Sequence, residues 1–189
     1  MPCTITETEL PGVLLIEPTV FKDPRGYFME LYNTGEASHG PLGVQFVQDN
    51  LSLSSRGVLR GLHYQYPCAQ GKLVQVLRGE IFDVAVDLRL GSPTFKQWVG
   101  VTLSDRNHRQ LFIPQGFAHG FAVLSDTAHF FYKCTDFYAP AHDRGVHYAD
   151  PDIAVRWPVP APLVSEKDQS LPQLKDLPPD HLPEYRCSV

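Results

Sequence analysis

Lys72-Leu73-Val74-Gln75-Val76-Leu77, Arg78-Gly79-Glu80 and Ile81-Phe82-Asp83-Val84-Ala85-Val86-Asp87-Leu88, read in succession, decide the fold. Two short runs rich in β-branched and apolar residues flank a glycine-centred turn, the pattern of a β-hairpin rather than of a helix. Similar runs follow at 98–103, 110–113, 121–124 and 129–135, and an earlier one lies at 13–16, closed by Glu17-Pro18. Turn chemistry separates them: Gly91-Ser92-Pro93, Ser104-Asp105-Arg106-Asn107, Pro114-Gln115-Gly116 and Ser125-Asp126. Many short strands at this spacing predict an all-β sandwich or barrel, and a jelly roll is the closed form that fits. Short peripheral helices are expected only near Leu31-Tyr32-Asn33 and in the tail. From Pro158 onward prolines dominate, among them Pro160, Pro162, Pro172, Pro178, Pro179 and Pro183, so this C-terminal segment is expected to wrap a domain rather than form one.

A chain of 189 residues is long enough for one well-buried core, and a single domain over 1–189 is expected. The net charge of −5, without a block of like charge, argues against nucleic acid or a membrane surface as partner. No apolar run approaches a membrane span, and the N-terminal residues lack the charged and apolar regions of a signal peptide. Cys3, Cys68, Cys134 and Cys187 show no CxxC spacing, so free thiols in a reducing cytoplasm are expected.

Alternate residues of a strand point to opposite faces. Lys72, Val74 and Val76 therefore share one face, and Ile81, Asp83, Ala85 and Asp87 share another. If both point inward, Lys72 and Asp83 meet inside the barrel, where a charge is costly unless paired or used; the pair is then a structural bridge or a site. On the run at 129–135, Phe130, Tyr132 and Cys134 face one way and His129, Phe131 and Lys133 the other.

Chemistry is concentrated in Gly57-Val58-Leu59-Arg60-Gly61-Leu62-His63-Tyr64-Gln65. A histidine is the side chain most easily poised as a base near neutral pH, and an arginine suits a phosphate oxyanion. Together they suggest a phosphorylated substrate that loses a proton, against the plainer reading of a core histidine beside a surface arginine. Strand parity separates Arg60 from His63, but Gly61 between them can mark a bulge that changes the count. Downstream, Pro114-Gln115-Gly116-Phe117-Ala118-His119-Gly120-Phe121 resembles the second motif of the cupin barrels, whose histidine binds a metal. The first cupin motif normally supplies a His-x-His pair and a glutamate, and here His63-Tyr64-Gln65 stands in its place. Two histidines do not make a convincing transition-metal site, so a cupin-type barrel without metal is expected.

Further motifs surround these. They are Asp23-Pro24-Arg25-Gly26-Tyr27-Phe28-Met29-Glu30, Gln48-Asp49-Asn50-Leu51-Ser52, Tyr132-Lys133-Cys134-Thr135-Asp136-Phe137-Tyr138 and Ser165-Glu166-Lys167-Asp168. Each alone is weak. In this order, from about Thr19 to about Asp168, the chain resembles the dTDP-4-dehydrorhamnose 3,5-epimerase family. The resemblance implies a cofactor-independent isomerase that inverts C3 and C5 of dTDP-4-dehydro-6-deoxy-D-glucose, the third step toward dTDP-L-rhamnose. It assigns His63 as general base supported by Asp168, Tyr132 as the acid on the opposite face of the sugar, and Lys72 as partner of the enolate oxygen. Arg25 and Arg60 would clamp the diphosphate, while Gln48, Asp49 and Asn50 fall in a motif lining the nucleotide and sugar. Tyr138 would stack on thymine, and Glu30, His119 and Lys167 match further substrate contacts. Position 143, usually glutamate in the family, is Asp143 here. The resemblance also implies a homodimer, with Arg25 or Glu30 reaching a neighbour's site.

The chemistry independently calls for such residues. Inverting a carbon beside a ketone requires a base, an oxyanion partner and an acid on opposed walls of one pocket, and the ketone itself serves as electron sink. On spacing alone Tyr132 reads as core, Asp168 as a solvated tail residue and Lys72 as a surface charge. Two other readings share the barrel: an epimerase acting on one carbon of a related dTDP-4-keto sugar, and a non-catalytic nucleotide-sugar binding protein.

Overall fold

The computed structural model describes residues 3–33 and 42–185. Its strands in chain order are β1 (Cys3–Glu7), β2 (Leu14–Pro18), β3 (Phe21–Asp23), β4 (Gly26–Phe28), β5 (Gln48–Ser55), β6 (Leu59–Gln65) and β7 (Lys72–Arg78). Then come β8 (Glu80–Asp87), β9 (Trp98–Ser104), β10 (Gln110–Ile113), β11 (Phe117–Val123), β12 (Thr127–Cys134) and β13 (Asp143–Gly145). They form a six-stranded sheet in the order β1-β2-β10-β7-β12-β5, a five-stranded sheet in the order β13-β6-β11-β8-β9, and a small β3-β4 hairpin. This is the cupin-type jelly roll.

The two large sheets face each other. Val74, Val76, Leu111 and Phe130 of the first pack with Ile81, Ala85, Val99, Leu103, Phe121 and Val123 of the second. Strand alternation sends Leu62, Tyr64, Val84 and Val86 to the outer face of the five-stranded sheet, where tail residues Leu174 and Leu182 cover them. Burial of each such leucine stabilises by about 1.5–3 kcal/mol, which holds a proline-rich segment in place without regular structure. A four-residue helix, α1 (Glu166–Gln169), interrupts this tail, and Ser165 caps it by accepting a hydrogen bond from Asp168 N. No described helix is long and apolar enough to cross a membrane.

One expectation is corrected. The Arg78-Gly79-Glu80 turn does not join hairpin partners: β7 pairs with β10 and β12, and β8 pairs with β9 and β11. The turn instead carries the chain from one sheet to the other, which lets both apolar faces meet across the core. Leu31-Tyr32-Asn33, near which a short helix is expected, is itself irregular, and residues 34–41 that follow lie outside the described residues. Leu31 O accepts from Gln110 Nε2 at 3.0 Å, and Tyr32 packs with Leu42, Val44 and Phe46 over the outer face of the six-stranded sheet.

Candidate active site

β6 supplies the central residues, and a bulge decides how. His63 pairs with His119 of β11 and Arg60 pairs with Phe121, so three steps on β6 oppose two on β11. The extra residue reverses the parity between Arg60 and His63 and turns both into the same cavity. Gly61, within the bulge, has φ +122°, and a Cβ there would collide with the backbone of His119 and Gly120. The freed Gly61 N–H donates to Asp168 Oδ2 at 3.1 Å.

Asp168 arrives from the tail. The Leu59 N–H donates to Leu163 O and the Leu163 N–H to Gly57 O, tying the tail to the start of β6. α1 then follows and places Asp168 Oδ1 2.8 Å from His63 Nε2. Burial alone would raise the Asp168 carboxyl, but its bonds from His63 and Gly61 outweigh that and hold it below the usual carboxylate range. An ionised carboxylate only accepts, so His63 Nε2 carries the proton and Nδ1 is left with its lone pair. The His63 side chain remains 30% exposed and Asp168 5%, an open base on a buried support.

The opposite wall belongs to the six-stranded sheet. Lys72 opens β7 beside Cys134 of β12, and its Nζ lies 5.9 Å from the centre of the Tyr132 ring. Burial pushes the Lys72 ammonium down from its ordinary range, while Cys134, Asp83 and Asp143 pull it back up. Burial pushes the Tyr132 hydroxyl up, so it holds its proton at neutral pH. His119, on β11, donates Nε2–H to Asp83 Oδ2 at 2.9 Å and stacks on Phe130.

These residues enclose a cavity of about 680 Å³, lined also by Asn50, Arg60, Phe121, Lys167 and Asp168. A second lobe of about 330 Å³ adds Gln48, Tyr138 and Asp143 and shares His63, Lys72 and Tyr132 with the first. Arg60 Nε donates to Ser54 Oγ, which fixes the guanidinium on the wall. Asp143 Oδ2 accepts from Lys167 Nζ at 2.6 Å and from Tyr138 OH at 3.0 Å, so the shorter acid still joins two neighbouring side chains.

Thus His63, Lys72, Tyr132, Asp168, Asn50, Arg60, His119 and Lys167 converge on the first lobe, and Gln48, Tyr138 and Asp143 on the second. Arg25, Glu30 and Asp49 line neither. Arg25 is exposed at the β3–β4 turn and pairs with Asp23, while Asp49 is paired to Lys133 Nζ at 2.8 Å. Sequence reasoning passed over Ser54, the Phe121 and Phe130 floor, and Gln65. The Gln65 amide bonds both Phe137 O and Ala139 N and so fixes the loop that carries Tyr138. Serine and glutamine are common strand residues, and nothing local marked them. Among the described residues, no group of three or more histidine, cysteine, aspartate or glutamate side chains is placed to hold a metal ion.

A supported histidine on one wall, a lysine and a phenol on the other, and cationic side chains at the rim make a site able to move protons on an anionic substrate. Comparison with known proteins narrows that class. The family model for dTDP-4-dehydrorhamnose 3,5-epimerase matches residues 7–176. The dTDP-4-dehydrorhamnose 3,5-epimerase of Pseudomonas aeruginosa is 59% identical over 168 residues, covering 87% of this chain and 92% of that one. That of Methanothermobacter thermautotrophicus is 54% identical over 175 residues, covering 91% and 95%. Among solved structures, a dTDP-6-deoxy-D-glucose-3,5-epimerase from Legionella pneumophila in complex with dTDP-4-keto-L-rhamnose superposes with a TM-score of 0.95. It is 50% identical, over 98% of this chain and 100% of that chain. The chain belongs to the dTDP-4-dehydrorhamnose 3,5-epimerase family.

Proposed function

We propose that this protein inverts C3 and C5 of dTDP-4-dehydro-6-deoxy-D-glucose to give dTDP-4-dehydro-L-rhamnose, without a cofactor. The observation that carries the reading is the division of labour between sheets. The base His63 stands on the five-stranded sheet, and Lys72 and Tyr132 stand on the six-stranded sheet facing it. Inversion demands that a proton leave one face of a carbon and return to the other, which opposed walls provide.

His63 Nδ1 removes a proton next to the C4 ketone, and Asp168 stabilises the imidazolium that forms. Electron density moves onto the ketone oxygen, where the Lys72 ammonium stabilises the enolate. The Tyr132 hydroxyl returns a proton to the far face of the same carbon. Arg60 and Lys167 attract the diphosphate, and the exposed Tyr138 ring offers a face to thymine.

Incubation with the 4-keto sugar nucleotide in heavy water, followed by proton NMR, tests this. Two deuterons, at C3 and C5, together with the inverted product are expected. Deuterium at one carbon would replace the reading with a single-carbon epimerase. Tight binding without any exchange would leave a nucleotide-sugar binding protein.

A homodimer belongs to the same proposal. Leu51, Leu53 and Leu77 stand exposed on the six-stranded sheet, an apolar surface suited to a second copy. Arg25 and Glu30, which line neither lobe of their own cavity, would then reach the neighbour's. Light scattering at micromolar concentration should return twice the chain mass; a fully active monomer would sink the idea. Cys3, Cys68 and Cys134 are unpaired, which supports a reducing cytoplasm as its compartment, and Cys187 lies outside the described residues.

A further inference from the structure

Asp83 stands behind the cavity wall, bonded to the lining residue His119, and the mechanism above leaves it unused. It is fully buried on β8, with Oδ2 on His119 and Oδ1 without a partner. A buried carboxylate oxygen with no donor costs free energy, and such a group persists where a nearby opposite charge or a function compensates. Lys72 lies within its electrostatic reach across the core, yet among the described residues the two form no direct ion pair. The alternatives raised by strand parity were a structural bridge or a site, and no bridge is made.

We propose, building on the epimerase reading, that Asp83 is a positioning residue that sets His119 and Lys72 together. Its carboxylate can only accept, so it fixes the proton of His119 on Nε2 and leaves Nδ1 as a lone pair. Nδ1 takes no hydrogen bond from any described residue, and the ring is held by stacking on Phe130 at 5.7 Å and 14°. His119 lines the cavity, so this lone pair is an acceptor for a sugar hydroxyl. The same carboxylate supplies negative charge to Lys72, whose ammonium must survive burial to meet the enolate.

The groups facing Lys72 come from three other strands: Cys134 on β12, Asp83 on β8 and Asp143 on β13. Burial pushes the Cys134 thiol up, so it is neutral, and Asp143 is already engaged by Lys167 and Tyr138. His119 faces Asp83, Lys72 and His63, and burial pushes it down, so it too is neutral. That leaves Asp83 as the carboxyl facing Lys72 that has no lysine or arginine partner of its own among the described residues.

Asp83→Asn removes the charge while keeping an oxygen that can accept from His119. Loss of a neighbouring anion lowers the Lys72 pKa further, so the alkaline limb of kcat/KM, where the ammonium is lost, should move to lower pH by about one pH unit or more. The affinity for dTDP, bound through the distant diphosphate and thymine contacts, should stay within about twofold and report an intact fold. A limb that superposes on the wild type would overturn the proposal, since a merely structural carboxylate would change stability and leave the profile in place. Should the variant fail to fold, nitrogen NMR of the intact protein labelled at histidine decides: His119 protonated at Nε2 near neutral pH supports the assignment, and protonation at Nδ1 overturns it. Wild-type protein that exchanges neither C3 nor C5 protons would instead remove the epimerase reading itself.

Discussion

His63→Asn should lose deuterium exchange and epimerisation together, because no proton leaves the sugar without the base. Loss of a general base typically costs about 10²–10⁴-fold, and more where the paired groups act as one unit. The imidazole faces an open cavity at 30% exposure and, among the described residues, hydrogen-bonds only to Asp168, so the fold should survive its replacement. dTDP should still bind, since Arg60, Lys167 and Tyr138 are untouched. The measurement is proton NMR in heavy water alongside dTDP titration. Exchange continuing at the normal rate in this variant would show that another group removes the proton.

Tyr132→Phe should separate the two activities that His63→Asn removes together. The ring keeps its packing against Phe130 at 5.5 Å, and only the hydroxyl is lost. Deuterium should still enter the substrate, because His63 can take a proton and return one on its own face. Inversion should fall by about 10²–10⁴-fold, far more than exchange does. Normal epimerisation would make Tyr132 a core aromatic and leave reprotonation to water or another acid. Loss of exchange alongside inversion would mean that the hydroxyl helps to form the enolate.

The strands built on runs of large apolar or aromatic residues, β7, β8, β9, β10 and β12, were legible to within a residue or two. There, apolar side chains and turn residues act in the same direction. β3, β4 and β13 span three residues each, and their extended form comes from the partner strand rather than from composition. Pairing was misread for the same reason: the Arg78-Gly79-Glu80 turn looks like a hairpin locally, while β10, β11 and β12, which claim β7 and one edge of β8, lie tens of residues downstream. At the site, residue type marked Arg60 and His63, and Gly61 marked the bulge that brings them together. Asp168 carried no such mark. It stands 105 residues from His63, in a segment that reads as solvated tail, and only the family resemblance connected the two. The supporting role of Asp83 was half legible, since parity put it inside with Lys72 and could not foresee that His119 would claim its hydrogen bond.

The route by which Asp168 reaches His63 has a consequence for biosynthesis. Every strand of both sheets is complete by Gly145, so a nascent chain can close its barrel before the strap beyond Pro158 leaves the ribosome. Until that strap has threaded past Leu59 and docked Leu174 and Leu182, Gly61 N–H has no acceptor and His63 has no support. Turnover therefore requires the strap as well as the closed barrel. A chain cut near residue 158 keeps every strand but loses both Asp168 and the leucines that cover the outer face of the five-stranded sheet, so one break removes the support of the base and the shield over that face together.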